Sequence, residues 1–339
     1  MPDQIDDQLA TWDEISEAHE WSSLLLGNGF SQNVWSKFGY SSLYEIAKSD
    51  HVEPGLTEQD VDLFEAFNTH NFEAVLSALG ISKLVAETLD QDTKLFDERY
   101  ESTRQALIAA VHHVHVPWAM IQEEKLLRVA DELKRYENVY SSNYDLLVYW
   151  AVMQNPDAFT DFFFDGRIFD ISNTEIWRDA AKVHFLHGGL HLYKKRSGLI
   201  RKRVAQPYQN LLDLFGRPFG DAVPLFVSEG TADEKRTAIA RSDYLSFVFS
   251  RFAKDGKPLV VFGHSLGDSD EHLTDVLNKR GERPIAISIR AQGDIRQRKA
   301  ALIKALPRAD ITFFDAATHP LGAPDLKVED VEERTTKFI

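Results

Sequence analysis

The chain has 339 residues, 43% hydrophobic and 11% aromatic, so it can bury a large core, and disorder is excluded as a description of the whole. The formal net charge of −15 at pH 7 argues against broad binding to nucleic acids or anionic membranes, because phosphates are repelled on average. Cysteine is absent, which excludes disulfides, thiol nucleophiles and cysteine-ligated zinc.

The beginning of the chain, MPDQIDDQLATWDEI, is acidic and polar and does not resemble a secretory signal peptide. No apolar run approaches the ~20 residues that a transmembrane helix requires. We therefore expect a soluble protein that resides in the cytoplasm and makes no membrane contact.

Short apolar runs, each followed by a small or polar turn, are the clearest feature of the chain. They cover Ser22–Leu26, Asn138–Ser142, His184–Leu186, Leu225–Val227, Leu259–Phe262, Pro284–Ile289 and Ile311–Phe314. Such runs, alternating with helical segments, indicate a parallel β-sheet covered by helices on both faces. Ligands of these sheets bind beyond the carboxyl ends of the strands, so we expect the turns to form one site.

The region between the first two predicted strands has helical periodicity instead. Residues 57–136 open with Thr57 as a predicted N-cap, followed by apolar residues at helical spacing, and Pro117 separates two later helical segments. We predict a lobe of two to four helices here, inserted within a single domain that spans residues 1–339. Residues 154–180 are too irregular to assign.

The first predicted strand runs into Gly27-Asn28-Gly29-Phe30-Ser31. Two glycines allow a tight turn whose N–H groups face a pyrophosphate, and Ser31 adds a hydroxyl donor. The segment departs from the dinucleotide fingerprint G-x-G-x-x-G, because Gln32 holds the third glycine position. A hydride-transferring dehydrogenase is therefore disfavoured, and by itself the segment is also typical of an ordinary strand-to-helix turn.

The segment VVFGHSLGDSD, residues 260–270, satisfies the G-x-S-x-G nucleophile-elbow pattern of the α/β-hydrolases, with Ser265 as nucleophile. His187-Gly188-Gly189 resembles an esterase oxyanion loop. Candidate triad partners follow Ser265 in hydrolase order: Asp310 or Asp315, then His319. A serine hydrolase is therefore an alternative. It is disfavoured because a long helical block follows the first strand, and because it leaves GNGFS and SSNYD without a role.

Four motifs together are more specific than any one of them. In chain order they are GNGFS (27–31), SSNYD (141–145), LHG (186–188) and GHSLGDSD (263–270). This set resembles the sirtuin-like superfamily, in its bacterial branch of NAD-consuming proteins. The resemblance covers residues 22 to about 290 and implies an α/β fold with a parallel-sheet, Rossmann-like core. The lysine deacetylases of that superfamily carry a cysteine-ligated zinc module, so the absence of cysteine disfavours deacetylation.

The resemblance also implies a role for each matching residue. It implies catalysis by His187 and Asn143, and contacts with NAD for Gly27, Asn28, Gly29, Ser31, Asp145, Gly263 and Ser265. Asn28 stands where the deacetylases have alanine. His187 would be the general base, a role suited to the ordinary histidine pKa of ~6.5. Asn143 would orient water or hold the ribose while remaining uncharged.

The implied activity is NAD hydrolysis. Cleavage of the nicotinamide–ribose bond passes through an oxocarbenium-like state, and water as acceptor gives nicotinamide and ADP-ribose. Unrestrained hydrolysis would poison the cell, so we expect gating by homo-oligomerisation or by a regulatory protein partner. By family analogy alone, the protein would serve bacterial anti-phage defence. We expect NAD as substrate and no metal. The alternative on the same fold is a non-catalytic NAD or ADP-ribose sensor or scaffold subunit, which would not need His187.

Two clusters have ordinary structural interpretations. The spacing in VHHVHVP fits no standard zinc site, so His112, His113 and His115 are predicted to end a helix. The basic residues 194–203 are predicted to form a solvated hairpin or loop, with a contact to a phosphate-bearing ligand or acidic partner as the alternative. Single histidines of lower specificity are His264 and His272, interpreted as surface residues or ligand contacts, and His191, a candidate neighbour of His187.

Overall fold

The computed structural model describes residues 5–39, 42–175, 179–205, 210–215, 222–227, 230–279 and 282–329. Its strands are β1 (Ser23–Leu26), β2 (Asn138–Ser141), β3 (Phe159–Thr160), β4 (Ala181–Phe185), β5 (Gly188–Lys194), β6 (Ile200–Lys202), β7 (Val223–Phe226), β8 (Leu259–Phe262), β9 (Pro284–Ile289) and β10 (Asp310–Asp315). Its α-helices are α1 (Trp12–Ser16), α2 (Asn28–Val34), α3 (Leu43–Lys48), α4 (Glu58–Ala66), α5 (Phe72–Thr88), α6 (Lys94–Val114), α7 (Glu123–Leu133), α8 (Leu147–Val152), α9 (Leu211–Leu214), α10 (Ala232–Ala240), α11 (Asp243–Lys254), α12 (Glu271–Lys279) and α13 (Ile295–Ala305).

A seven-stranded sheet forms the centre of the molecule, in the order β10-β9-β8-β1-β2-β4-β3, and all its pairings are parallel. Leu25 of β1 lies opposite Tyr140 of β2 on one side and Val261 of β8 on the other. Every residue of β1 and β8 is buried, because strands covered on both faces are apolar at successive positions. The predicted α/β fold with a helix-flanked, Rossmann-like core is confirmed at this level.

The order of the strands reverses at β1. β2, β3 and β4 lie on one side of β1 in the sheet, and β8, β9 and β10, which come later in the chain, lie on the other side. The switch point therefore lies between β1 and β8. In open α/β sheets ligands bind at such a point, outside the carboxyl ends of the strands. The turns that follow β1 and β8 occupy this position.

A second, antiparallel sheet of three strands has the order β6-β5-β7. The predicted strand at 225–227 corresponds to β7, so its assignment to the parallel sheet is wrong. A short apolar run carries no information on the direction of its partner. Ser228 and Glu229, for which a turn is predicted after β7, lie outside the described residues. The basic stretch 194–203 forms the β5–β6 hairpin, as predicted, and Lys195 N–H donates to Leu199 O across its turn (2.8 Å).

Helices occupy the region where the helical lobe is predicted, residues 57–136, all of which the structure describes. These are α4, α5, α6 and α7. Thr57 caps α4 in a reciprocal capping box with Asp60. The buried Asp60 carboxylate also accepts a hydrogen bond from Ser102 (2.6 Å) and pairs with Arg99 (3.2 Å), which ties α4 to α6. Among the described residues, no helix is long and apolar enough to cross a membrane.

Candidate functional site

A cavity of about 1190 Å³ opens at the switch point of the parallel sheet. Its wall contains most of the residues singled out in the sequence: Asn28, Gly29, Asn143, Asp145, His187, Gly263 and Ser265. Gly27 and Ser31 belong to the same turn but do not line the cavity. The volume exceeds the ~300–1,000 Å³ that is typical of small-molecule sites and is sufficient for a dinucleotide. The expectation that the strand-end turns lie together is met for the turns after β1, β2, β4, β8 and β9.

The glycines of the β1 and β8 turns allow the two turns to touch. A Cβ on Gly27 would lie 2.6 Å from Gly263 O, and one on Gly29 would lie 2.7 Å from Gly263 Cα. Gly29 N–H donates to Gly263 O (2.7 Å), and Gly27 N–H donates to Phe262 O (3.0 Å). These two N–H groups are therefore already bonded within the protein, contrary to the expectation that they face a pyrophosphate.

Ser31, Asn143 and Asp145 form a buried hydrogen-bond network behind the β1 turn. Ser31 Oγ donates to Asp145 Oδ2 (2.5 Å), and Asn143 Nδ2 donates to Ser31 Oγ (2.9 Å) and to Gly27 O (3.0 Å). Burial raises the pKa of Asp145, and this effect is larger than the opposite effect of the hydrogen bonds from Ser31 and from Leu147 N–H, which lower the pKa. In this structure Ser31 therefore fixes the turn, whereas Asn143 both fixes it and lines the cavity.

His187 connects β4 to β5 and is 3% exposed. Gly188 next to it has φ +73°, and a Cβ there would lie 2.2 Å from Leu225 O, so only glycine allows the chain to enter β5 at this point. His187 Nε2 lies 2.9 Å from His272 Nε2. Burial, aided by the charge of Lys235, lowers the pKa of His187 to about 3. The expectation of an ordinary pKa is wrong for this arrangement, in which His187 is neutral but weakly basic.

A buried ion pair stands beside His187. Lys235 Nζ, on α10, lies 2.7 Å from Asp270 Oδ1, and His264 Nε2 lies 3.8 Å from Asp270 Oδ2. Burial raises the pKa of Asp270, but His264, His187 and Lys235 outweigh it and lower the pKa to about 2. His264 and His272 are 8% and 1% exposed, so their interpretation as surface residues is wrong.

Two arginines that the sequence analysis did not single out also line the cavity. Arg290 follows β9 and donates to Gly29 O (3.1 Å), and Arg298 of α13 donates to Arg290 O (2.8 Å). They place positive charge next to the glycine turn in a protein whose net charge is negative. Guanidinium groups bind phosphate oxygens in bidentate geometry. This wall of the cavity is therefore suited to a phosphate-bearing ligand.

The serine-hydrolase triad is not assembled. Ser265 is exposed on the cavity wall, but His319 is buried elsewhere: its Nε2 lies 3.2 Å from Tyr136 Oη, and its Nδ1 accepts from Leu321 N–H (3.1 Å). Both ring nitrogens are thus occupied. In the β8 turn, Gly263 and Leu266 have positive φ, and Ser265 does not, so the strained serine of a nucleophile elbow is missing.

His115 and His191 have structural roles. At the end of α6, His115 Nδ1 donates to Val116 O (2.9 Å), and its Nε2 accepts from Leu146 N–H (3.0 Å), which confirms the helix-terminus prediction and supports the turn that carries Asp145. His191 is fully buried against Tyr149, at a ring-centroid distance of 4.6 Å, and neither of its ring nitrogens bonds to His187 or to another group in the part of the chain that the structure describes.

Comparison with known proteins yields a match to one protein family. A family model described as a domain of unknown function (DUF4917) matches residues 24–321. The match includes every strand from β2 to β10, three of the four residues of β1, and all of the cavity wall except Gly322, Pro324 and Lys327. No curated protein matches the chain.

Proposed function

The chain belongs to the DUF4917 family, described as a domain of unknown function, and we propose that it is an NAD hydrolase. The observation that carries the proposal is the cavity at the switch point. One wall holds the two glycine turns with Arg290 and Arg298, and the same cavity reaches His187 and Asn143. A ligand with an anionic diphosphate and a cleavable glycosidic bond fits this combination of groups.

The diphosphate of NAD would lie against Arg290 and Arg298, beside the β1 turn, where it would accept charge-assisted hydrogen bonds from the guanidinium N–H groups that are not bonded to backbone carbonyls. Ser265, exposed on the same wall, would donate to the ribose or diphosphate oxygens. The nicotinamide ribose would then extend towards His187 and Asn143. This placement agrees with the roles that the resemblance to the sirtuin-like superfamily implies for Ser265, His187 and Asn143. It does not use the implied contacts of Gly27, Gly29 and Ser31, whose donors are bonded within the protein.

In the proposed reaction the bond between C1′ of the ribose and the nicotinamide nitrogen breaks, and its electron pair leaves with nicotinamide. Water adds to C1′ and loses one proton, which His187 accepts. Both Nδ2 hydrogens of Asn143 are already bonded, so Asn143 would act through Oδ1, which accepts a hydrogen bond from the water or from a ribose hydroxyl.

His187 must become more basic for this reaction. Its Nε2 is shared with His272, and its pKa is about 3. A bound diphosphate adds negative charge and raises the pKa of a nearby imidazole. A weakly basic resting state also agrees with an enzyme that is gated by oligomerisation or by a partner protein. A function in anti-phage defence and a cytoplasmic location remain part of the proposal through the resemblance alone.

The same observation favours a second candidate, a non-catalytic NAD or ADP-ribose sensor. Such a protein needs the arginines and the glycine turns, and its His187 can stay bonded to His272. The two candidates differ in one measurable result, the release of nicotinamide.

The test measures NAD cleavage by chromatography with the purified full chain and three variants, and NAD binding with a fourth variant. We expect the wild type to release nicotinamide, His187→Ala and Asn143→Ala to be slower by about 100-fold or more, and His113→Ala, the same kind of substitution outside the cavity, to match the wild type. Arg290→Ala should weaken NAD binding by about tenfold. Binding without release of nicotinamide would favour the sensor over the enzyme, and failure to bind NAD would refute both candidates.

A further inference from the structure

We propose that His187, His272 and Asp270 form a binding site for a divalent transition-metal ion such as Zn²⁺. One ligand atom from each residue lies within 4.8 Å of the others. Both histidines are buried, whereas Asp270 lies on the wall of the cavity, which supplies an entry path. Binding of the ion rests on this geometry alone; its effect on activity, described below, rests on the proposed function.

The two imidazoles are close to the separation that one ion requires. Their Nε2 atoms are 2.9 Å apart, so one ring donates a proton to the other. Two nitrogens bound tetrahedrally to Zn²⁺, each at ~2.0–2.1 Å, are about 3.3 Å apart. The rings would therefore separate by about 0.4 Å when an ion replaces the shared proton.

His272 is able to adjust. Its ring stacks on Phe249 at a centroid distance of 6.0 Å, and its Nδ1 is buried without a hydrogen-bond partner in the part of the chain that the structure describes. No hydrogen bond at Nδ1 is lost if the ring turns.

The carboxylate of Asp270 is held in the way that metal-binding carboxylates usually are. Lys235 Nζ bonds Oδ1 at 2.7 Å, which leaves Oδ2 for an ion, and His264 Nε2 lies 3.8 Å from that oxygen. Two imidazoles and one carboxylate favour Zn²⁺ and related ions over Mg²⁺ or Ca²⁺, which prefer all-oxygen sites. The charge of Lys235 opposes any cation, so we expect moderate affinity.

This proposal departs from the expectation that no metal binds. That expectation rests on spacing, and His187 is 85 positions away from His272, so no metal-binding spacing is visible in the sequence. An ion on His187 occupies the lone pair that the proposed reaction needs for the proton of water. Zn²⁺ would therefore inhibit NAD cleavage, and its removal would restore it.

The binding test is equilibrium dialysis of the full chain against micromolar Zn²⁺, followed by measurement of metal per chain by mass spectrometry. We expect one ion per wild-type chain, and affinity reduced by about tenfold or more in His272→Gln and in Asp270→Asn. His113→Ala, in the other histidine cluster, should match the wild type. Zn²⁺ should also raise the melting temperature of the wild type and not that of His272→Gln.

Wild-type protein without bound Zn²⁺ would overturn the proposal, as would full occupancy in folded His272→Gln. If His272→Gln does not fold, as judged by circular dichroism, Asp270→Asn decides in the same way. Loss of the ion in His113→Ala would assign it to the end of α6 and refute this site.

The inhibition test is separate. If the wild type cleaves NAD, we expect added Zn²⁺ to stop cleavage and a chelator to restore it. Cleavage that continues with the ion bound would refute the inhibitory role while the dialysis result stands. If the wild type does not cleave NAD, the proposed function fails, and dialysis alone still decides whether the ion binds.

Discussion

Gly263→Ala tests the contact between the β1 and β8 turns, on which the cavity depends. Gly263 has φ +67°, a conformation that costs a residue with a Cβ about 1–2 kcal/mol. The added Cβ would lie 2.4 Å from Phe30 N and 2.8 Å from Gly29 C. Both are backbone atoms, so one turn must move, at a further cost of about 1–3 kcal/mol. We expect the free energy of unfolding in urea to fall by about 2–5 kcal/mol in total.

Two other glycines separate the strain from the clash. Gly198, in the β5–β6 hairpin, has φ +88° and no atom within 4 Å of its added Cβ, so Gly198→Ala carries the strain alone. Gly256 has neither feature, and Gly256→Ala provides the baseline. The unfolding free energies of the three variants are measured at one pH. The difference between Gly198→Ala and Gly256→Ala gives the cost of the backbone strain, and the difference between Gly263→Ala and Gly198→Ala gives the cost of the clash. If Gly263→Ala is within about 0.5 kcal/mol of Gly198→Ala, the turns do not constrain each other and the reasoning is refuted.

Two further predictions concern buried polar side chains. Burial lowers the pKa of His184 to about 3, so the unfolded chain binds the proton first as the pH falls below 6.5, and stability drops by about 1.4 kcal/mol per pH unit. His184→Phe retains the stack on Tyr140 but has no group to protonate. Between pH 6 and 5, the unfolding free energy of this variant should therefore fall by about 1.4 kcal/mol less than that of the wild type. Equal falls in the two proteins would contradict the low pKa of His184. Ser31→Ala removes the donor to Asp145 and should lower the free energy of unfolding in urea by about 1–3 kcal/mol. The control Ser246→Ala, at an exposed serine, should change that free energy by no more than about 0.5 kcal/mol. Equal losses in the two variants would show that the network does not support the turn.

The parallel sheet could be predicted because its strands carry a local signal. β1, β8 and β9 are mainly apolar runs that are followed by glycine or arginine, and their observed bounds differ from the predicted ones by at most one residue. β5 has no such signal, since it begins with Gly188 and Gly189, which are typical of a turn, and its burial depends on β6 and β7. The direction of β7 follows from that pairing and is not encoded in its own residues.

The site could be predicted only in part, for a related reason. Asn143 and His187 follow strands, and topology places strand ends together. Lys235, His272 and Arg298 belong to helices, where a single charged or polar residue is usually a solvated one. Their contacts with the cavity or its neighbours depend on how α10, α12 and α13 pack, which no spacing in the sequence reveals. The low pKa of His187 is likewise a property of its surroundings.

The central position of β1 has a consequence for how the protein is made. β1 is translated first among the strands of the sheet, but its neighbours begin only at Asn138 and Leu259. Pairing between such distant segments closes long loops and is intrinsically slow. Until β8 has left the ribosome, the turn at Gly27 has no partner turn to pack against, and one wall of the cavity does not exist. Unfinished chains therefore lack the cavity, and any activity that depends on it begins only after that point in synthesis.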